Sequence, residues 1–173
     1  NWYLLDKDSS VLTGWQYIKD QNKTVYYDPT TGIMKHGQAY INGHWYLFDN
    51  KGAMQRGFQN LTPYGEAKTV YYNQKGWMVY GQQNINGHWY NFDKVTGKMS
   101  TGFTYLADQK KSVYYSLKKS TLGQMQYGWQ LLGKDHYYFD KITGAISKGE
   151  KNIDGHWYLF NNKGIMQIGF QFL

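Results

Sequence analysis

Three stretches of the chain repeat one another almost letter for letter: Ile41-Asn-Gly-His-Trp-Tyr-Leu-Phe-Asp49, Ile85-Asn-Gly-His-Trp-Tyr-Asn-Phe-Asp93 and Ile153-Asp-Gly-His-Trp-Tyr-Leu-Phe-Asn161. Such a string restricts the fold to architectures that multiply one small unit. Asn42-Gly43 between alternating apolar flanks is a strong β-hairpin signal, because both central residues of a type I′ turn take positive φ. On the strand that follows, side chains alternate, so Trp45 and Leu47 share one face and Tyr46 and Phe48 the other.

A glycine opens each unit: Gly14, Gly37, Gly57, Gly81, Gly102, Gly128, Gly149 and Gly169, with a partial unit over 1–13. Each interval is expected to hold one hairpin and then a turn of Asp or Asn followed by Gly. An isolated hairpin is marginal in water, so neighbours must cover its aromatic faces. The expected fold is all-β, a solenoid of stacked β-hairpins forming a single repeat array over 1–173. Short units opening at Gly37, Gly81 and Gly149 carry Gln or Glu after the glycine and a hairpin Trp. Longer ones opening at Gly14, Gly57 and Gly102 carry Trp or Phe there and no hairpin Trp, and the Gly128 unit breaks the alternation with Trp129 and His136.

Aromatics make up 19% of the chain, which marks rings, in place of aliphatic side chains, as the packing material. With no cysteine, neither a disulfide nor a thiolate metal site is available. No apolar run is long enough for a membrane span. The net charge of +7 comes almost wholly from lysine, with Arg56 the one arginine. This favours an anionic neighbourhood over bidentate phosphate recognition. The lysines fall in turns without clustering, which argues against nucleic acid. A start at Asn1, inside a repeat, reads as the C-terminal portion of a longer protein with any catalytic segment upstream.

The residues with most to say about ligands are rings at three repeat positions. Position one of the second hairpin strand is Trp2, Trp45, Trp89 or Trp157 in some units and Thr24, Thr69 or Ser112 in others. Position three, on the same face, is Tyr26, Tyr71 or Tyr114 where that Trp is missing. The third is the ring after the opening glycine: Trp15, Phe58, Phe103, Trp129 and Phe170. Read across unit boundaries, these give trios of Trp2, Trp15 and Tyr26; Trp45, Phe58 and Tyr71; and Trp89, Phe103 and Tyr114, with Trp157 and Phe170 beginning a fourth. Rings meeting in this way would wall a groove able to cage a quaternary ammonium or to stack on sugar rings.

The opposite-face rings, among them Tyr46, Phe48, Tyr90, Phe92, Phe139, Tyr158 and Phe160, are expected to be core, and the recurring methionines to fill gaps or floor the grooves. His44, His88 and His156 occur one per unit, strung out where a metal would need them clustered. Asp28, Asp49, Asp93 and Asp140 share one turn position that caps its own backbone. A glycosidase needs two carboxylates facing across one cleft, so no catalytic residue, metal or cofactor is expected.

These motifs, Gly-Gln-Gln-Asn-Ile-Asn-Gly-His-Trp-Tyr at 81–90 and Gly-Glu-Lys-Asn-Ile-Asp-Gly-His-Trp-Tyr at 149–158 above all, resemble the cell-wall-binding repeat superfamily. It includes choline-binding repeats and the related glucan-binding and clostridial-toxin repeats. The chain is similar in particular to the C-terminal wall-binding modules of lysozyme-like muramidases and phage endolysins of lactic-acid bacteria. The resemblance implies a solenoid whose cages form between successive repeats. It also implies a non-catalytic module that holds a peptidoglycan hydrolase at the cell surface, outside the cell. Its partner would be a bacterial wall polymer: a teichoic acid, a wall polysaccharide or peptidoglycan. Phe58, Phe103 and Phe170 stand where the family has Trp, which implies fewer and weaker choline cages. A glucan-binding module of a sucrose-processing enzyme and an adhesin or spacer array are the rival readings.

Overall fold

Residues 2–169, which the computed structural model describes, are all-β apart from short 3₁₀ turns. The strands in order are β1 (Leu4–Leu5), β2 (Val11–Leu12), β3 (Gly14–Ile18), β4 (Lys23–Tyr27), β5 (Gly37–Ile41), β6 (His44–Phe48), β7 (Gly57–Asn60) and β8 (Thr69–Tyr72). There follow β9 (Gly81–Ile85), β10 (His88–Phe92), β11 (Gly102–Leu106), β12 (Lys111–Tyr115), β13 (Gly128–Leu132), β14 (Asp135–Phe139), β15 (Gly149–Ile153) and β16 (His156–Phe160). Each strand pairs only with its neighbour in sequence, giving separate two-stranded sheets among the described residues. No helix among them is long and apolar enough to cross a membrane.

The turn chemistry is as the sequence demands. Asn42 and Gly43 have φ of 48° and 87°, and Asn86-Gly87 and Asp154-Gly155 repeat the pattern. After each hairpin an acidic or amide side chain folds the loop. Asp49 Oδ1 accepts from the N–H groups of Lys51 (2.8 Å) and Ala53 (2.9 Å), and Asp28, Asp93 and Asp140 do the same in their turns. A hydrogen bond from the Lys35 ammonium, helped by the N–H groups of Thr31 and Thr30, holds the Asp28 carboxyl far below the usual carboxylate range.

Two compact units are distinguished, Asn1–Gly81 with Phe92–Met99, and Gln82–Asn91 with Ser100–Leu173. Within each, one rule joins successive hairpins: the loop that closes a hairpin donates a backbone N–H to position one of the hairpin before it. In the first unit Met34, Met54, Met78 and Met99 donate to the carbonyls of Trp2, Thr24, Trp45 and Thr69 at 2.8–3.1 Å. In the second, Met125, Ile146 and Met166 donate to Trp89, Ser112 and His136 at 2.8–2.9 Å. The loop glycine makes this approach possible. Gly52 has φ of 73°, and a Cβ there would lie 2.4 Å from Met34 Sδ of the preceding loop.

Side-chain alternation then sorts the packing. Positions two and four of a hairpin face back to its predecessor, while positions one and three, with the ring after the opening glycine, face forward. Leu47 packs on Val70 and Tyr72 of the next hairpin. Tyr26 packs on Tyr46 and Phe48, and Tyr114 on Tyr137 and Phe139. The rings expected to be core are so placed: Tyr46, Phe48, Tyr90, Phe92, Phe139 and Phe160 are buried, and Tyr158 is half-buried.

Candidate functional site

The forward faces come in two kinds. Long hairpins present an opening ring and a Tyr, and these pack against the next hairpin. Trp15 lies 4.9 Å from its cross-strand partner Tyr26 and 4.8 Å from Tyr46. Phe58 meets Tyr71 at 4.9 Å, Phe103 meets Tyr114 at 5.0 Å and Tyr137 at 5.2 Å, and Trp129 meets Tyr138 at 5.2 Å and Tyr158 at 4.8 Å. These edge-on and tilted contacts, each setting an exposed ring against a buried or half-buried one, are packing geometry.

Short hairpins present a Trp with Leu or Asn, and here open grooves occur. The Trp45 groove, of about 130 Å³, is completed by Gln38, Glu66, Lys68, Met78 and Tyr80. The Trp89 groove, about 220 Å³, repeats this composition with Gln82, Gln109, Lys111, Met125 and Tyr127. A wider one of about 410 Å³ at Trp2 has Gln21, Lys23, Tyr27 and Met34. Trp45 and Trp89 are 40% and 42% exposed, so a large part of each indole is open to a ligand.

The trios expected from the repeat pattern therefore do not form. Their pairs Trp15 with Tyr26, Phe58 with Tyr71 and Phe103 with Tyr114 meet, but the hairpin Trp of each trio stands across an intervening hairpin. Trp45 lies against the backward face of β7–β8, whereas Phe58 and Tyr71 project from its forward face. The same alternation separates Trp2 from Trp15 and Tyr26, and Trp89 from Phe103 and Tyr114. Trp157 is 73% exposed, and Phe170 lies outside the described residues.

Polar groups that the repeat pattern does not single out line the grooves. The ammonium groups of Lys68 and Lys23 donate to the carbonyls of Thr96 and Lys51 at 2.7 Å, and that of Lys111 to Thr143, so each lysine is held at a groove wall by the following loop. Lys68 is paired with Glu66 at 2.6 Å, and Gln38 donates to the same carboxylate. These bonds hold the Glu66 carboxyl below the usual range, Lys68 contributing most. In the other two grooves Gln21 and Gln109 occupy the Glu66 position, and among the described residues neither Lys23 nor Lys111 has an ion pair. Gln109 instead donates to Gln82, and Gln82 to Tyr115 Oη at 3.3 Å. Each groove thus offers an indole face, a methionine floor, an amide and an ammonium donor. A sugar ring suits that set, laying C–H groups on the indole and hydroxyls on the polar rim. A quaternary ammonium also suits the indole face, opposed by the lysine charge where, unlike Lys68 with Glu66, the lysine has no carboxylate partner.

One feature had no sequence signal. His44 stacks on Trp77 with centroids 3.7 Å apart, and Trp77 Nε1 donates to Tyr46 Oη at 2.6 Å. Trp77 stands in a loop position filled elsewhere by Ala53, Lys98 and Gln124, so no periodicity announced it.

Burial under the grooves predicts an alkaline transition. Desolvation pushes the Tyr115 phenol up to about 12 and Tyr72 further. A folded-state pKa above the unfolded value near 10 gives stability that is intact below pH 10 and lost as pH rises through 12. Absorbance at 295 nm should show exposed tyrosines ionising first, and a last phase coinciding with loss of the β signal by circular dichroism.

Residues 39–54 and 151–166 match the family model described as "Putative cell wall binding repeat". A comparison with curated proteins gives no match. Among solved structures, choline binding protein F of Streptococcus pneumoniae, crystallised in the presence of a peptidoglycan analogue (tetrasaccharide-pentapeptide), is 26% identical with a TM-score of 0.82 over 98% of this chain and 57% of that one. CbpJ of Streptococcus pneumoniae TIGR4 is 29% identical, TM-score 0.79, over 95% and 56%. CbpF in complex with ipratropium, obtained by soaking, is 25% identical, TM-score 0.76, over 95% and 57%. The chain spans a little over half the length of these structures.

Proposed function

We propose that this chain, whose repeats match the choline-binding-like cell-wall-binding family, is a non-catalytic module that holds a peptidoglycan hydrolase on a Gram-positive surface. It does so by stacking wall sugars in the tryptophan grooves. The observation that carries this reading is the recurrence of one groove composition at Trp2, Trp45 and Trp89: a ring, an amide, a lysine and a methionine. Pure packing has no need to repeat a polar rim. The solved structure of a relative in the presence of a tetrasaccharide-pentapeptide supports a glycan ligand, and the stacking of hairpins within each unit supports a solenoid.

The grooves are individually weak. Linked in one array, they raise apparent affinity by about 10²–10⁴ over a single site. The same chemistry favours a neutral glucan as a second reading. Retention on purified Gram-positive walls and on dextran beads separates the two, with elution by soluble wall glycan and by choline chloride. Retention on walls, elution by glycan and indifference to choline are expected. Retention on dextran alone transfers the chain to the glucan reading, elution by choline overturns the sugar assignment, and no retention on either leaves a spacer.

A further inference from the structure

The second unit holds a groove of another kind, beside Phe103, which encloses about 360 Å³ and is lined by Ser112, Ile146, Lys148 and Lys163 as well. The lysines are far apart in sequence but reach one groove, because the loop after one hairpin lies beside the loop after the next. The corresponding positions near Trp15 are Arg56 and Lys75, and both cations are engaged there. Arg56 Nε donates to the Gln74 carbonyl at 2.8 Å, and Lys75 Nζ sits 4.6 Å over the Trp77 ring. At the Phe103 groove Asn162 replaces Gln74 and Ile165 replaces Trp77. Among the described residues neither lysine there has an ion pair or a side-chain hydrogen bond, and no carboxylate lines the groove. Phe103 is 52% exposed beside them.

We propose that this groove binds a phosphate-bearing segment of a glycopolymer, with the phosphate between Lys148 and Lys163 and the adjoining polyol or sugar on the Phe103 ring. Two ammonium groups act as point charges toward phosphate and need no fixed bidentate geometry. The ring supplies an apolar surface for the carbon skeleton next to the charge. The site is separate from the tryptophan grooves and does not depend on them.

The test uses the whole chain and a delipidated poly(glycerol phosphate) polymer, with polyglucuronate as a carboxylate comparison, by titration calorimetry at low salt. The double variant Lys148→Gln/Lys163→Gln should lose about tenfold in affinity for the phosphate polymer. Lys118→Gln/Lys119→Gln removes the same net charge elsewhere and should lose less than about twofold, the effect of a remote charge. Equal losses in the two variants would overturn the site and leave only net charge. Equal loss toward polyglucuronate would overturn the preference for phosphate. The Trp45→Ala/Trp89→Ala protein should keep its affinity for the phosphate polymer, so this assignment and the sugar-groove reading fail independently.

Discussion

Trp45→Ala combined with Trp89→Ala is expected to lower apparent affinity for purified walls by about a hundredfold, since it removes two of three linked grooves and with them most of the avidity. Either single change should cost far less, because the remaining pair still acts together. The indoles are half open to solvent, and Trp45 meets Tyr40 across the hairpin with ring centroids 5.4 Å apart, so the fold should hardly notice. A cross-strand contact of that sort contributes about 0.2–1 kcal/mol. Wall sedimentation and urea denaturation on the same samples check both halves. If binding and midpoint fall in proportion, these indoles are packing.

Phe48→Ala should do the reverse. Phe48 is fully buried among Tyr26, Ile41 and Tyr46, with Trp15 5.9 Å away and Met54 bridging its backbone. Truncating a buried Phe costs about 3–5 kcal/mol, part of it the cavity left behind. Stacked repeats stabilise chiefly their nearest neighbours, so the loss should start at the β5–β6 hairpin and the loop after it. Urea denaturation should show a lowered midpoint with a broadened or split transition. Hydrogen exchange should rise first in residues 37–54. A uniform shift with no local opening would show that the first unit melts as one block.

The hairpins were legible because their signals are local. Asn42-Gly43, Asp49 with Gly52 and the alternation Trp45-Tyr46-Leu47-Phe48 fix a turn, a capped loop and two faces without reference to anything distant. The core was legible for the same reason, since one face of β4, β6, β8, β10, β12, β14 and β16 carries Tyr or Phe. Which ring meets which was not legible. Alignment of the units assigns Trp45 a position on its hairpin, but not the neighbour that its face looks toward. Grouping it with Phe58 and Tyr71 by closeness along the chain overlooked that the β7–β8 hairpin stands between them. The polar rims were hidden likewise: Gln38 comes from β5 and Glu66 and Lys68 from the loop that leads into β8, and only stacking brings them to Trp45. Lysines read as scattered in the sequence, yet Lys148 and Lys163 share a groove through the same stacking.

The backbone bond from each closing loop reaches the carbonyl at position one and never the side chain there. Met78 holds Trp45, Met99 holds Thr69, Ile146 holds Ser112 and Met166 holds His136 by the same link. The scaffold is therefore indifferent to what that residue displays. Recognition can be rewritten one rung at a time, by a single substitution that opens or shuts a slot, while the ladder that carries it stays as it was.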